Sequence, residues 1–187
     1  MQDSRVRVYL AMSIDGFIAG PGGDLSWLPD ADPSAEQAPV QPGALSYDDF
    51  IADVGALLMG RITYDTVRGF DVPWPYGDMP VLVASSRPLD SDPPPHVRRV
   101  QGPIQELVAQ AKQDAGDLDV YLDGGVMIRQ AAEADLIDEI TLTVVPVVLG
   151  AGHTLFAGMQ RRYPLEFVAH HDYPGGLVQL RTRPTGR

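Results

Sequence analysis

Short apolar runs alternate with longer amphipathic ones through the first two thirds of the chain. Residues 6–12 (VRVYLAM), 56–59 (ALLM), 81–85 (VLVAS) and 120–122 (VYL) are brief and β-rich, and small or acidic residues follow several of them closely. Strands this apolar, separated by helices, predict a mainly parallel sheet buried on both faces. Residues 47–53, 62–68, 103–115 and 126–134 read as helices. Pro103 suits a first helical turn, where its missing N–H has no partner to lose. The last third changes character. Residues 139–148 (EITLTVVPVV) alternate and then become fully apolar, and 165–171 and 177–183 flank the turn signal Pro174-Gly175-Gly176. The pattern predicts an α/β fold in one domain. Its central sheet is mixed but mainly parallel, with helices on both faces and a C-terminal antiparallel hairpin. The loop over residues 29–42 is long, polar and acidic, and Pro93-Pro94-Pro95 is a stiff connector.

Composition narrows the function. A chain of 187 residues is long enough for one proper core. It has no cysteine, so a disulfide framework and a thiolate metal site are excluded, and no metal is expected. The first apolar stretch lacks a charged leader, and no run is long enough to cross a bilayer, so a cytoplasmic protein without membrane contact is expected. The net charge of −11 argues against nucleic acid as a partner. Charge is also uneven. No Lys or Arg occurs between Arg7 and Arg61, a region that holds Asp15, Asp24, Asp48, Asp49 and Asp53. Such a face is either solvated or functional. Lys112 is the one lysine, in a polar helical setting that does not suit an amine nucleophile.

Three strand ends carry candidate chemistry. At Asp123-Gly124-Gly125-Val126-Met127 a strand gives way to a helix through two glycines. Free N–H groups and a partial positive charge at a helix N-terminus bind phosphate, and glycine lets a ligand approach the backbone. The same pair also makes a tight turn with no ligand. Leu58-Met59-Gly60-Arg61-Ile62-Thr63-Tyr64 offers Gly60, Arg61 and Thr63 at a second junction, and Ser85-Ser86-Arg87 follows a third strand. Each alone reads equally as an ordinary turn. Together they fall at the carboxyl ends of strands, where open α/β sheets bind ligands. Asp15-Gly16 after the first strand reads as a turn, with Asp15 a catalytic candidate.

The segments AMSIDGFIA (11–19), LLMGRITYDTV (57–67), VLVASSRPL (81–89), VYLDGGVMIRQ (120–130) and LIDEITLTVVPVVLGAGHTLF (136–156) resemble the dihydrofolate-reductase-like superfamily. They look most like the C-terminal reductase domain of the riboflavin-biosynthesis deaminase-reductase in a stand-alone form. The resemblance implies a dihydrofolate-reductase-like three-layer fold and NADPH as hydride donor. It places the backbone of Ala11 and Ile18 at the nicotinamide and Gly60, Arg61 and Thr63 at the adenosine-side phosphates. Ser85, Ser86 and Arg87 would lie at the 2′-phosphate, and Gly124, Gly125, Val126 and Met127 along the pyrophosphate. In dihydrofolate reductase proper the Gly-Gly peptide is cis, an expectation that extends to Gly124-Gly125.

That enzyme also grips its pterin with an acid on the helix before the MGR strand, the region of Asp48 and Asp49, although an Asp near a helix start is also a cap. A riboflavin-pathway substrate would require cations, for which Arg129, His153, Arg161 and Arg162 are the candidates. The expected function is reduction of a small pyrimidine- or pterin-like heterocycle, with Asp15, Asp48 or bound water as proton source. The alternatives are a true dihydrofolate reductase and a non-catalytic NADPH-binding protein. Related reductases pair through their C-terminal region, so a homodimer is expected, with the ITLTVVPVVL run as the source of apolar surface.

Overall fold

The computed structural model describes residues 4–29, 42–173 and 175–185. The elements are β1 (Val6–Ser13), β2 (Phe17–Ala19), α1 (Tyr47–Ala52), β3 (Val54–Gly60), α2 (Arg61–Arg68), β4 (Val81–Ala84), β5 (Val97–Val100) and α3 (Ile104–Ala115), followed by β6 (Asp119–Asp123), α4 (Gly125–Glu133), β7 (Glu139–Val145), β8 (His153–Thr154), β9 (Leu165–Tyr173) and β10 (Leu177–Pro184). Among the described residues an eight-stranded sheet runs β5-β4-β3-β6-β1-β7-β10-β9, and β2 pairs with β8 in a small second sheet. The first six strands in that order are parallel, while β10 runs antiparallel to β7 and β9. This is the mixed, mainly parallel sheet with a C-terminal antiparallel pair that the pattern predicts. Most of the expected long loop, residues 30–41, and Pro174 lie outside the described residues.

Both faces of the sheet are covered, which is why its central strands carry apolar residues at consecutive positions, as in Ala56–Met59 and Val120–Leu122. Ala56 and Leu58 of β3 point to one side with Leu122 of β6, beneath Leu107 and Ala111 of α3 and Ile128 of α4. Leu57 and Met59 point to the other, with Tyr121, Phe50 of α1 and Tyr64 of α2. Gly55 is where α3 meets β3: a Cβ there would stand 2.3 Å from the Ala115 carbonyl oxygen.

The structure corrects several expectations. Pro103 is the N-cap of α3, and the helix begins at Ile104. The run at 139–148 ends as a strand at Val145, because Pro146 has no N–H to continue the ladder. The Gly124–Gly125 peptide is trans. Three strands were missed. β5 (VRRV) is an edge strand whose arginines face solvent, and Arg98 pairs with Asp114 at 2.7 Å. β2 and β8 are too short for any period to register. The apolarity of β7 also has a different cause from the one expected. β7 lies inside the sheet between β1 and β10, and buries Ile140, Leu142 and Val145 within the monomer. Past β7 the same run does leave apolar surface, with Val148 71% exposed, and the edge strand β9 adds Phe167 at 69% and Val168 at 44%.

At the end where the parallel strands begin, Arg7 is buried with a side-chain exposure of 3%. Its guanidinium meets Asp119 at 3.2 Å, Glu139 at 3.2 Å and Asp53 at 3.4 Å, and lies over the Phe50 ring at 4.9 Å. Arg5 holds Asp119 at 2.7 Å, and Arg181 holds Glu139 at 3.1 Å. Removing one member of a buried network leaves uncompensated charge, at a cost of about 3–5 kcal/mol. Arg7→Met is therefore expected to lower unfolding stability in urea at neutral pH by about that amount. Arg183→Met, which breaks only the exposed pair with Glu166, should cost about 1 kcal/mol or less. Equal costs for the two would show that the Arg7 cluster is not the anchor.

Candidate active site

The opposite end of the sheet gathers the strand-end motifs. Gly124 takes φ +91°, a left-handed conformation that glycine adopts freely, and a Cβ there would lie 2.5 Å from Thr63 Oγ1 and 3.6 Å from the Gly60 nitrogen. A Cβ on Gly125 would lie 2.9 Å from Ile18 Cδ1, and one on Gly60 would lie 3.5 Å from Met127 Cγ. These contacts join Ile18, Gly125, Gly124, Thr63, Gly60 and Met127 into one track across β2, α4 and α2. Met127 and Val126 then line a 320 Å³ cleft with Ser85, Ser86, Gln101, Gly102 and Gln130. The expected cofactor residues of three separate motifs are thus brought together.

Both α2 and α4 start at a glycine, and neither has a side-chain cap. Their first N–H groups consequently have no intrahelical acceptor and point outward with the positive ends of the helix dipoles. Thr63 stands between the two starts, and Ser85 caps its own turn by accepting the Arg87 N–H at 3.1 Å. Arg61 is already engaged: its Nε donates to both Asp65 oxygens at 2.7 and 2.9 Å, and its Nη1 donates to the Pro88 carbonyl at 2.5 Å. Arg87 is exposed beside Ser86. Ala11 sits in β1, paired in register with Thr143 of β7.

The expected catalytic acids fare differently. Asp15 is held by the Ser13 hydroxyl at 2.7 Å and by the N–H groups of Leu149 and Gly150 at 3.2 and 2.8 Å. The Ser13 hydroxyl first, and then the backbone donors, keep it below the usual carboxylate range. Asp15 therefore fixes the loop after β1 to the loop before β8 and is a poor proton donor. Asp49 accepts from the Ser46 hydroxyl at 2.6 Å, and its own N–H donates to Ser46 Oγ at 3.0 Å, so it belongs to the cap of α1. Asp48 is exposed in the first turn of α1 next to Tyr47. The candidate cations are also placed. Arg129 Nη1 donates to the Thr154 and Leu155 carbonyls at 2.9 and 3.0 Å, and Arg161 donates to the Ala132 carbonyl at the far end of α4. His153 and Arg162 are exposed.

One acid was overlooked. Asp123 ends β6, level with Met59 and directly before the two glycines, and is half-buried. Burial pushes its carboxyl up to about 6, against the opposing pull of the Gly124 N–H at 2.7 Å and of Tyr121. Tyr47, Tyr76 and Tyr121 lie close enough for its charge to raise their hydroxyls. Tyr9 and Phe50 extend this aromatic face at ring separations of 4.8 Å from each other and, for Phe50, 5.0 Å from Tyr121. The signal was present in VYLDGG: an acid at the end of a buried strand has little water to keep it charged.

The chain matches the RibD C-terminal domain over residues 4–179. It belongs to that family. The relative YwjB of Bacillus subtilis, uncharacterised, is 32% identical over 179 residues, covering 95% of this chain and 97% of its own. A structure from Shewanella sp. PV-4, provisionally assigned to riboflavin biosynthesis, is 29% identical with TM-score 0.80, covering 97% of this chain and 99% of its own. The Thermotoga maritima diaminohydroxyphosphoribosylaminopyrimidine deaminase/5-amino-6-(5-phosphoribosylamino)uracil reductase superposes with TM-score 0.66 at 16% identity, covering 98% of this chain and 57% of that one. Dihydrofolate reductase from Enterococcus faecalis, complexed with NADP(H), gives TM-score 0.62 at 15% identity, covering 98% of each chain. The fold of this RibD-type domain is therefore dihydrofolate-reductase-like.

The raised carboxyl of Asp123 has a measurable consequence. The folded chain binds its proton more tightly than the unfolded chain, whose Asp titrates near 3.9. Stability from this group is thus intact below about pH 4 and falls as pH rises to about 6. Asp123→Asn keeps an acceptor for Gly124 and removes the buried charge. Its stability relative to wild type should improve by on the order of 2–3 kcal/mol between pH 4 and 7. A difference that does not change with pH would show that Asp123 titrates normally.

Proposed function

We propose that this chain is an NADPH-dependent reductase of a small planar heterocycle of the pyrimidine or pterin kind. The observation that carries the reading is the contact of Gly124 with Thr63 and Gly60, which joins two uncapped helix N-termini beside a half-buried acid. A pyrophosphate fits there, because the free N–H groups supply donors and the glycines leave room for it. The serines at 85–86 and Arg87 suit the 2′-phosphate. Ile18, pressed on Gly125, covers the inner end of the track. When bound, the dihydronicotinamide supplies the hydride.

The remaining work falls to this chain. Tyr47 and Tyr76, within reach of the charge on Asp123, offer flat aromatic surface for a heterocycle. Asp123 holds the proton that the reduced ring nitrogen or oxygen takes up, replacing Asp15 in that role. Asp48 borders the entrance. A carboxyl near 6 retains a usable protonated fraction at neutral pH while remaining acidic enough to donate. Membership of the RibD C-terminal family and a fold shared with an NADP(H)-binding reductase support the assignment.

Three measurements test it. Arg87→Ala should weaken NADPH binding about tenfold or more, as expected for a lost charge-assisted hydrogen bond, and leave NADH nearly unchanged. Arg61→Ala should have the smaller effect, since Asp65 and Pro88 already engage that side chain. Wild-type protein that binds NADH as tightly as NADPH would sink the phosphate assignment. For the acid, turnover should fall as pH rises above about 6, and Asp123→Asn should lower it by about 10²–10⁴ and flatten the profile. An unchanged profile would remove Asp123 from the chemistry. We also propose a homodimer that covers Phe167 and Val168 on β9, and a monomer mass by light scattering at micromolar concentration would refute it.

A further inference from the structure

The segment after β4 carries the serines and the arginine assigned to the 2′-phosphate, and it is held along its length. Ser85 Oγ accepts the Arg87 N–H at 3.1 Å and donates to the Arg87 carbonyl at 2.8 Å, which closes the backbone of Arg87 into a local turn. Arginines of α2 and β5 hold the chain on either side of that turn. Arg99 donates to the Ser86 carbonyl at 3.4 Å, Arg61 to the Pro88 carbonyl at 2.5 Å and Arg68 to the Asp92 carbonyl at 3.3 Å. Arg61 and Arg68 are also paired with Asp65 and Asp90, whereas Arg87 forms no ion pair among the described residues. The three arginine contacts are exposed, and long exposed side chains fix a loop only weakly.

Asp90 is different. Its Oδ1 accepts the Tyr64 hydroxyl at 2.9 Å, and its Oδ2 accepts from Arg68 Nε at 3.2 Å. Tyr64 is 1% exposed and packs in the core with Leu57 and Met59, and Leu89, next to Asp90, packs on the same cluster. The Trp74 ring meets Tyr64 edge-on at a centroid distance of 6.0 Å. The Tyr64 hydroxyl is therefore a fixed point, and its bond to Asp90 ties the segment to the core.

We propose that Asp90 is a positioning residue for the choice of cofactor: held by Tyr64, it sets the Ser85–Arg87 turn so that Arg87 meets the 2′-phosphate of NADPH. This rests on the NADPH reading above. The physical reason is preorganisation, since a charged donor already in place loses less freedom on binding. Charge alone predicts the opposite sign. An acid three residues along the chain from a phosphate-binding arginine repels a phosphate, so its removal would tighten NADPH binding. A positioning role makes the same removal weaken it.

The test is equilibrium binding of NADPH and NADH to the full chain as wild type, Asp90→Ala, Asp90→Asn, Arg87→Ala and the Asp90→Ala/Arg87→Ala double variant. Asp90→Ala should weaken NADPH about three- to tenfold, the range of one hydrogen bond, and leave NADH within about twofold. Asp90→Asn keeps an acceptor for the Tyr64 hydroxyl and should lose less. With Arg87 already removed, Asp90→Ala should weaken NADPH no further, because the two residues act as one unit. NADPH binding to Asp90→Ala that is unchanged or tighter overturns the proposal. So does an equal loss for both cofactors, an Asp90→Asn as damaging as Asp90→Ala, or a loss that persists in the double variant. If the wild type does not prefer NADPH, or Arg87→Ala keeps the preference, the 2′-phosphate assignment itself falls and takes the proposal with it.

Discussion

The buried Arg7 cluster is the constraint on which the rest of the molecule depends. Three strands begin beside this guanidinium, and its partners Asp119 and Glu139 come from the first residues of β6 and β7. Ionic groups buried this deeply are costly unless every partner is in place, so a shifted strand would strand a charge in the core. Pinning the start of β1 against β6 and β7 also fixes where they end. Ser13, Asp123 and Val145 therefore reach the opposite edge of the sheet in a defined register.

The edge so defined is asymmetric. On one face α3 and α4 form a cleft beside serines and arginines, which suits an anionic cofactor. On the other, α1 and the loop after α2 place Tyr47 and Tyr76 within reach of the charge on half-buried Asp123. The two faces meet at Gly124, whose positive φ and missing Cβ allow β6 to turn into α4 against Thr63. Hydride transfer between two flat rings needs such a meeting point: one ring held from each side, little water between, and a proton source within reach.

Much of this was legible before any coordinates. The buried strands and the four helices follow from composition and period, because a sheet covered on both faces requires apolar residues at consecutive positions. The glycine junctions were legible too, since a strand that ends at glycine and continues as a helix is a local feature. The edge strand β5 was not, because its arginines at 98 and 99 face solvent and leave only two apolar residues to register. Nor was the role of β7. Its apolar run looks like surplus when read alone and proves to be the interior of an eight-stranded sheet.

What the sequence determined by itself was the class of fold, the set of strand-end motifs and an acidic stretch between Arg7 and Arg61 without Lys or Arg. What only the tertiary structure decided was which acids are free to act. Asp15 and Asp49 look as chemical as Asp123 along the chain, yet hydrogen bonds from Ser13, Leu149 and Gly150 commit the first, and Ser46 commits the second. Asp123 differs because the fold buries it, with Tyr47 and Tyr76, distant in sequence, near enough to feel its charge. A carboxyl's proton affinity depends on solvation and neighbouring charge, and both are properties of three-dimensional surroundings.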